Sequence, residues 1–181
     1  MAQKISFLLI LTFCAFIFSG CGYSGRSLLP ENLKSICVGN FKSTIAVGSE
    51  VTEDNKYAIY RPGIENDITN AIVDRFAFDG NLKIAQKDKA NLVLEGTLTN
   101  YIKEALRYDN ADNVEEYRIR IVLDMKLIER PSDKVMWTEK GFAGEATYNT
   151  MGRYATSEDT ARDEAIKDLA RRVVERTVEG W

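Results

Sequence analysis

The chain has 181 residues, with 24 Lys and Arg against 27 Asp and Glu, a net charge of −3 and no His. This balance argues against nucleic acid as a general partner, which needs an excess of Lys and Arg on one face. The lack of His removes the commonest general base, the usual catalytic triads and the usual zinc ligand sets; with no Gly-rich phosphate loop and no Cys pair at metal-ligand spacing, no catalytic residue, metal or cofactor is expected.

The amino end carries one cation, Lys4, followed by an apolar run from Ile5 to Phe18 interrupted by Ser6 and Thr12. Such a run is a signal-peptide core, too short for an ordinary membrane-spanning helix. It ends Phe18-Ser19-Gly20-Cys21, which resembles a lipobox with Phe where Leu is usual. That resemblance implies removal of residues 1–20, a diacylglyceryl group on Cys21 and acylation of the new amino terminus. Three acyl chains exceed the two-signal threshold for stable membrane anchoring. Cys14 would leave with the signal and Cys21 would carry lipid, so Cys37 alone remains and no intramolecular disulfide is possible. Between Ile36 and Val38 it reads as a small core residue, not a nucleophile. Removing residues 1–20 takes away Lys4 and no acid, so the processed chain is one unit more negative.

Residues 22–33 mix Gly, Ser, Pro and polar side chains and suit a tether, placing lipidated residues 21–33 before a single domain at 34–181. A strand is expected at 34–41 with Ile36, Val38 and Phe41 inward, then an irregular loop at 42–60. Pro62 fits a first helical turn, and Ile64, Ile68, Ala71, Ile72 and Phe76 recur at helical spacing, predicting a helix over 62–78 closed by Asp79-Gly80. From residue 81 the period becomes two. Leu82 and Ile84 form a short strand, and Leu92, Leu94, Gly96 and Leu98 alternate with Val93, Glu95, Thr97 and Thr99 in a longer one. Residues 108–114 carry hairpin-turn chemistry. Next, Tyr117, Ile119, Ile121, Leu123, Met125 and Leu127 define one apolar face, with Arg118, Arg120, Asp124 and Lys126 on the other. One face covered and one wet is the pattern of an antiparallel sheet. A turn at Pro131–Asp133 leads to a strand over about 134–147. The last element is a helix over 157–179, capped by Thr156 or Ser157, with Ile166, Leu169, Ala170, Val173 and Thr177 as its apolar stripe. The expected fold is α+β: a two-layer sandwich with a mostly antiparallel sheet of four to five strands and two helices on one face.

Several strings occur in one order: C-G-Y at 21–23, L-L-P at 28–30, K-S-I-C-V-G-N-F at 34–41, R-P-G-I-E-N-D-I-T-N-A-I at 61–72, A-N-L-V-L-E-G at 90–96 and E-E-Y-R-I-R-I at 115–121. Together they resemble the LPS-assembly lipoprotein family, LptE. The resemblance implies a non-enzymatic lipoprotein on the periplasmic face of the outer membrane. Members plug the β-barrel LptD, support its assembly and bind lipopolysaccharide during delivery to the cell surface. Gly22, in place of an Asp after the lipidated Cys, agrees with export to the outer membrane, and a polar sheet face suits a wet barrel lumen. An alternative is an outer-membrane lipoprotein of the peptidoglycan-synthase-activator or curli-secretion type, whose domains also begin with a V-G-N-F-like strand.

If lipopolysaccharide is the ligand, its phosphates call for local Arg and Lys. Lys103 and Arg107 lie four apart beside the 108–114 hairpin and share a face if the strand runs on to the turn. Arg153 precedes the last helix, whose amino end adds partial positive charge. Arg107 and Arg153, with Lys103 in support, are therefore the candidate head-group contacts. The acidic pairs Glu115-Glu116 and Glu158-Asp159 read as solvated and helix-capping groups.

Overall fold

The computed structural model describes residues 29–30, 32–45 and 62–180. The expected signal, Cys21, most of the tether and residues 46–60 of the loop lie outside these.

Among these residues eight elements follow in order: β1 (Ser35–Val38), β2 (Lys42–Ser43), α1 (Ile64–Asp79), β3 (Lys83–Ile84), β4 (Leu92–Tyr108), β5 (Val114–Glu129), β6 (Lys134–Asn149) and α2 (Glu158–Glu179). The sheet order is β3-β1-β4-β5-β6, with β2 also pairing with β4. The three long strands form an antiparallel meander, whereas β1 and β2 run parallel to β4 and β3 runs parallel to β1. The fold is α+β, with both helices packed into the one core.

Among the described residues the sheet has six strands, one more than expected, because β2 lies at the start of the stretch expected as a loop at 42–60, while the strand expected at 34–41 ends at Val38. After Val38 the chain leaves the ladder: Gly39 N–H still donates to the Leu94 carbonyl at 2.8 Å, but Phe41 N–H donates at 3.1 Å to Thr69 Oγ1 on α1. The Thr69 hydroxyl donates in turn to the Glu65 carbonyl at 2.7 Å. A buried N–H must find an acceptor somewhere, and here a helix side chain supplies it. The Phe41 ring lies over Gly96 in the space a Cβ would fill. Helix α1 starts at Ile64, two residues later than expected: Gly63, at φ 98°, is its cap, and this non-helical turn leaves Pro62 outside the helix.

One hydrophobic core runs between the layers. Ile64, Ile68, Ile72 and Phe76 of α1 meet Ala161, Ala165, Leu169, Ala170 and Val173 of α2 and the inward residues of the sheet. On β5 these are Ile119, Ile121, Leu123, Met125 and Leu127, all buried, as the period of two predicts. Each fully buried aliphatic side chain adds about 1.5–3 kcal/mol to the apolar driving force. Ser157 caps α2, its Oγ accepting from Thr160 N–H at 3.1 Å.

The outer face is drier than the alternation suggests. Val93 and Val122 are buried although both point away from the helices. Val93 sits between Cys37 and Ile128 on the neighbouring strands, and the flanking side chains of a central strand suffice to cover it.

Candidate functional site

Seventeen residues at about 3.3 Å each carry β4 roughly 55 Å along the sheet. β1 and β2 pair only with its first half, up to Leu98. Its second half, with β5 and β6, projects as a three-stranded ribbon. The tip of that ribbon gathers the end of β4, the turn into β5, the end of β6 and residues 150–156. Arg107, Lys103 and Arg153 all lie toward it, but their environments differ.

β4 runs on to the turn as the candidate site requires, yet Lys103 and Arg107 do not share a face. Lys103 pairs with Ile119 and Ala105 with Tyr117, whereas Arg107 pairs with Glu116. Two steps on β4 therefore match one on β5. Such a bulge inserts an extra residue, here Leu106, and reverses the side to which later side chains point. Lys103 faces the helix layer. Its Nζ lies 2.7 Å from Glu158 Oε2 and 4.4 Å from the centroid of the Tyr117 ring, which stacks on Tyr148 at 5.6 Å. Burial acts to lower the Lys103 pKa, but hydrogen bonds with Glu158 and then Tyr148 outweigh it and hold the ammonium above its ordinary range. Lys103 thus ties α2 to the ribbon.

Arg107 faces outward. Its Nε donates to Glu115 Oε2 at 2.8 Å and its Nη2 to Asn149 Oδ1 at 3.2 Å, with Glu116 at 3.7 Å. Arg153 stacks over Tyr154, its Cζ 4.7 Å from the ring centroid, and has no carboxylate partner among the described residues. The amino end of α2 offers no spare positive potential, because Ser157 caps it and Glu158 and Asp159 occupy its first turn. Acids there already compensate the helix dipole.

The tip also has an apolar part, which the pattern of cations in the sequence does not reveal. Leu106, Tyr108, Met151 and Tyr154 are all exposed, Tyr154 by 67%. They lie in turns and bulges, where no periodicity marks which side chains face water. Local density was the available signal: four large apolar side chains beside Arg107 and Arg153 in two short stretches. An end that offers guanidinium groups and apolar surface together suits an amphiphile with an anionic head. No group of three or more metal-ligating side chains occurs among the described residues, and none of their helices is long and apolar enough to cross a membrane.

The family described as lipopolysaccharide-assembly, LptE, matches residues 42–177. That stretch runs from β2 almost to the end of α2 and includes the whole ribbon and its tip. The chain belongs to the LptE family. No curated protein matches it in sequence. Among solved structures it is similar to the hypothetical protein CT253 from Chlamydia trachomatis, with 10% identity, 80% of this chain and 95% of that chain covered, and a TM-score of 0.50. It is also similar to a minor lipoprotein from Acinetobacter baumannii, with 12% identity, 81% and 94% coverage and a TM-score of 0.48. For the rare lipoprotein B from Shewanella oneidensis the values are 18%, 77% and 89%, and 0.39. At these identities the likeness to CT253 concerns the fold alone. The matched segment includes the tip, with its exposed apolar side chains and its arginines.

Proposed function

We propose that this protein is a lipid-anchored, non-enzymatic component of lipopolysaccharide assembly that plugs the LptD β-barrel and supports its assembly. In this reading residues 1–20 are removed and Cys21 carries lipid on the periplasmic face of the outer membrane. Residues 21–33 then tether the domain at 34–181. Membership of the LptE family over residues 42–177 carries the reading. The charged outer face of the ribbon, where Arg118 meets Glu104 at 2.6 Å and Arg120 meets Glu145 at 3.0 Å, is consistent with a polar barrel lumen. Arg107 and Arg153 contact the anionic head group, and Leu106, Tyr108, Met151 and Tyr154 lie against its apolar part; Lys103, committed to Glu158 on the other face of the ribbon, supports them only by holding α2 in place.

Two experiments test this. Cys21→Ser is expected to abolish incorporation of labelled palmitate and to leave the precursor unprocessed; label retained at the wild-type level contradicts the lipid site. Arg107→Glu combined with Arg153→Glu is expected to weaken lipopolysaccharide binding at least tenfold. Charge-assisted hydrogen bonds are worth about 1.5–3 kcal/mol each, and both side chains are exposed, so fold and copurification with LptD should survive. Binding unchanged over a range of salt concentrations removes the head-group site from the tip without touching the barrel role.

A further inference from the structure

Away from the tip, the outer face of the sheet opens into a cleft of about 530 Å3. Four ammonium groups reach it from four separate parts of the chain: Lys42 of β2, Lys87 from the segment after β3, Lys126 of β5 and Lys140 of β6. Among the described residues two carboxylates, Glu95 and Asp124, line the same space, and both are committed. Glu95 lies 3.1 Å from Lys126 and 3.4 Å from Lys87. The hydrogen bond from Lys126, above all, holds its carboxyl below the usual range against the opposing effect of burial. Asp124 accepts the Gly141 N–H at 2.9 Å. Lys42 and Lys140 are exposed and have no carboxylate partner among the described residues.

Two backbone irregularities place that unmatched pair. On β6 the register jumps from Phe142 opposite Leu123 to Glu139 opposite Met125, leaving Lys140 and Gly141 across from Asp124. Gly141 adopts φ 66°, the left-handed conformation that glycine takes without strain and that a bulge of this kind uses to re-aim its neighbours. On the other side, the break after β1 restarts the chain at Lys42, opposite Thr97. Concentrating like charge in a concavity costs repulsion, and an anion bound there relieves it. The volume lies within the range of small-molecule sites and far exceeds that of a bare ion. Asn40 and Thr138 add uncharged polar groups to its lining.

We propose that this cleft is an anion site, separate from the tip, for a phosphate or carboxylate borne on a sugar, with Lys42 and Lys140 as its main ligands. Lys126 and Lys87 supply the surrounding positive field, and Asn40 and Thr138 meet hydroxyl groups. The site goes beyond the tip reading and does not depend on it. A free sugar phosphate and a lipid-linked glycan share the required chemistry.

The test uses the full chain in detergent, titrated with glucosamine 1-phosphate and followed by NMR at the Lys42, Lys140 and Gly141 amides. Saturable shifts are expected with the phosphorylated sugar and none with glucosamine. Lys42→Glu with Lys140→Glu should weaken binding at least tenfold while retaining the thermal midpoint, whereas Thr147→Val, exposed on β6 away from the cleft, should bind as the wild type does. Competition by lipopolysaccharide at the same amides assigns the lipid-linked source; its failure to compete assigns the soluble one. Absence of saturable shifts, or equal affinity in the Lys42, Lys140 variant, overturns the proposal. So does carbodiimide coupling in intact membranes of Lys42 or Lys140 to a partner protein's carboxylate, which would make the cleft a protein interface.

Discussion

Ile121→Asp is expected to abolish cooperative folding, while Arg120→Gln on the adjacent position should leave stability within about 1 kcal/mol. Ile121 is wholly buried on the helix-facing side of β5, paired with Tyr101 on β4 and Gly144 on β6, among the aliphatic side chains of the core. The substitution removes the packing of a core aliphatic, worth about 2–5 kcal/mol when truncated, and adds an unpaired charge that must be neutralised or desolvated. Together these match the whole stability of a typical domain, about 5–15 kcal/mol. Arg120 instead forms a half-exposed ion pair with Glu145, a class of contact worth about 0–1 kcal/mol. Circular dichroism melts of the two variants decide it: equal losses would mean that the faces of β5 are assigned the wrong way round.

The second large effect is expected at Gly144. A Cβ at this position would stand 2.4 Å from the Leu169 Cβ, 2.6 Å from the Leu169 Cα and 2.6 Å from the Ala165 carbonyl oxygen. Two of those atoms belong to the backbone of α2, so no side-chain rotation relieves the contact and the helix itself must move off β6. Overpacking a core usually costs about 1–3 kcal/mol; Gly144→Val should reach or exceed the upper end, because displacing α2 also loosens Leu169 and Ala165 from the core. For a domain of this size, about 3 kcal/mol lowers the midpoint by roughly 6–12 °C. Thr147→Val, exposed on the same strand, should change stability by less than about 0.5 kcal/mol. If Gly144→Val melts with the wild type, the close approach of α2 to β6 is not as described.

The strand β5 was legible in the sequence because six alternating apolar residues admit one period, and α2 because its stripe and its Ser157 cap agree. Chain geometry without a periodic signature was not. The bulge between Leu98 and Asn100 moves the inward side of β4 from even to odd positions, so Tyr101 is buried where continued alternation from Leu98 would turn it outward. The bulge at Leu106 separates Lys103 from Arg107 in the same way. Nothing local announces either insertion, since each is set by pairing with β5. Strand β2 escaped notice because two residues are too few to show a pattern, and because the break before it is satisfied by Thr69, distant in sequence. The family resemblance rested partly on strings at 21–41, which precede the matched segment 42–177. The strings at 61–72, 90–96 and 115–121 lie within it. At the tip, the cations were visible as residue types, but that Arg107 is paired, Lys103 enclosed and Arg153 unmatched depends on partners brought in from β5, β6 and α2.

The proposed function makes this chain the lipoprotein partner of a barrel. The direct measurement is a pull-down of the tagged full chain from detergent-solubilised outer membranes, with every stoichiometric partner identified by mass spectrometry. LptD in stoichiometric amount, retained through a high-salt wash, is the predicted result. A complex without LptD, holding a periplasmic enzyme or only further copies of this chain, would contradict it.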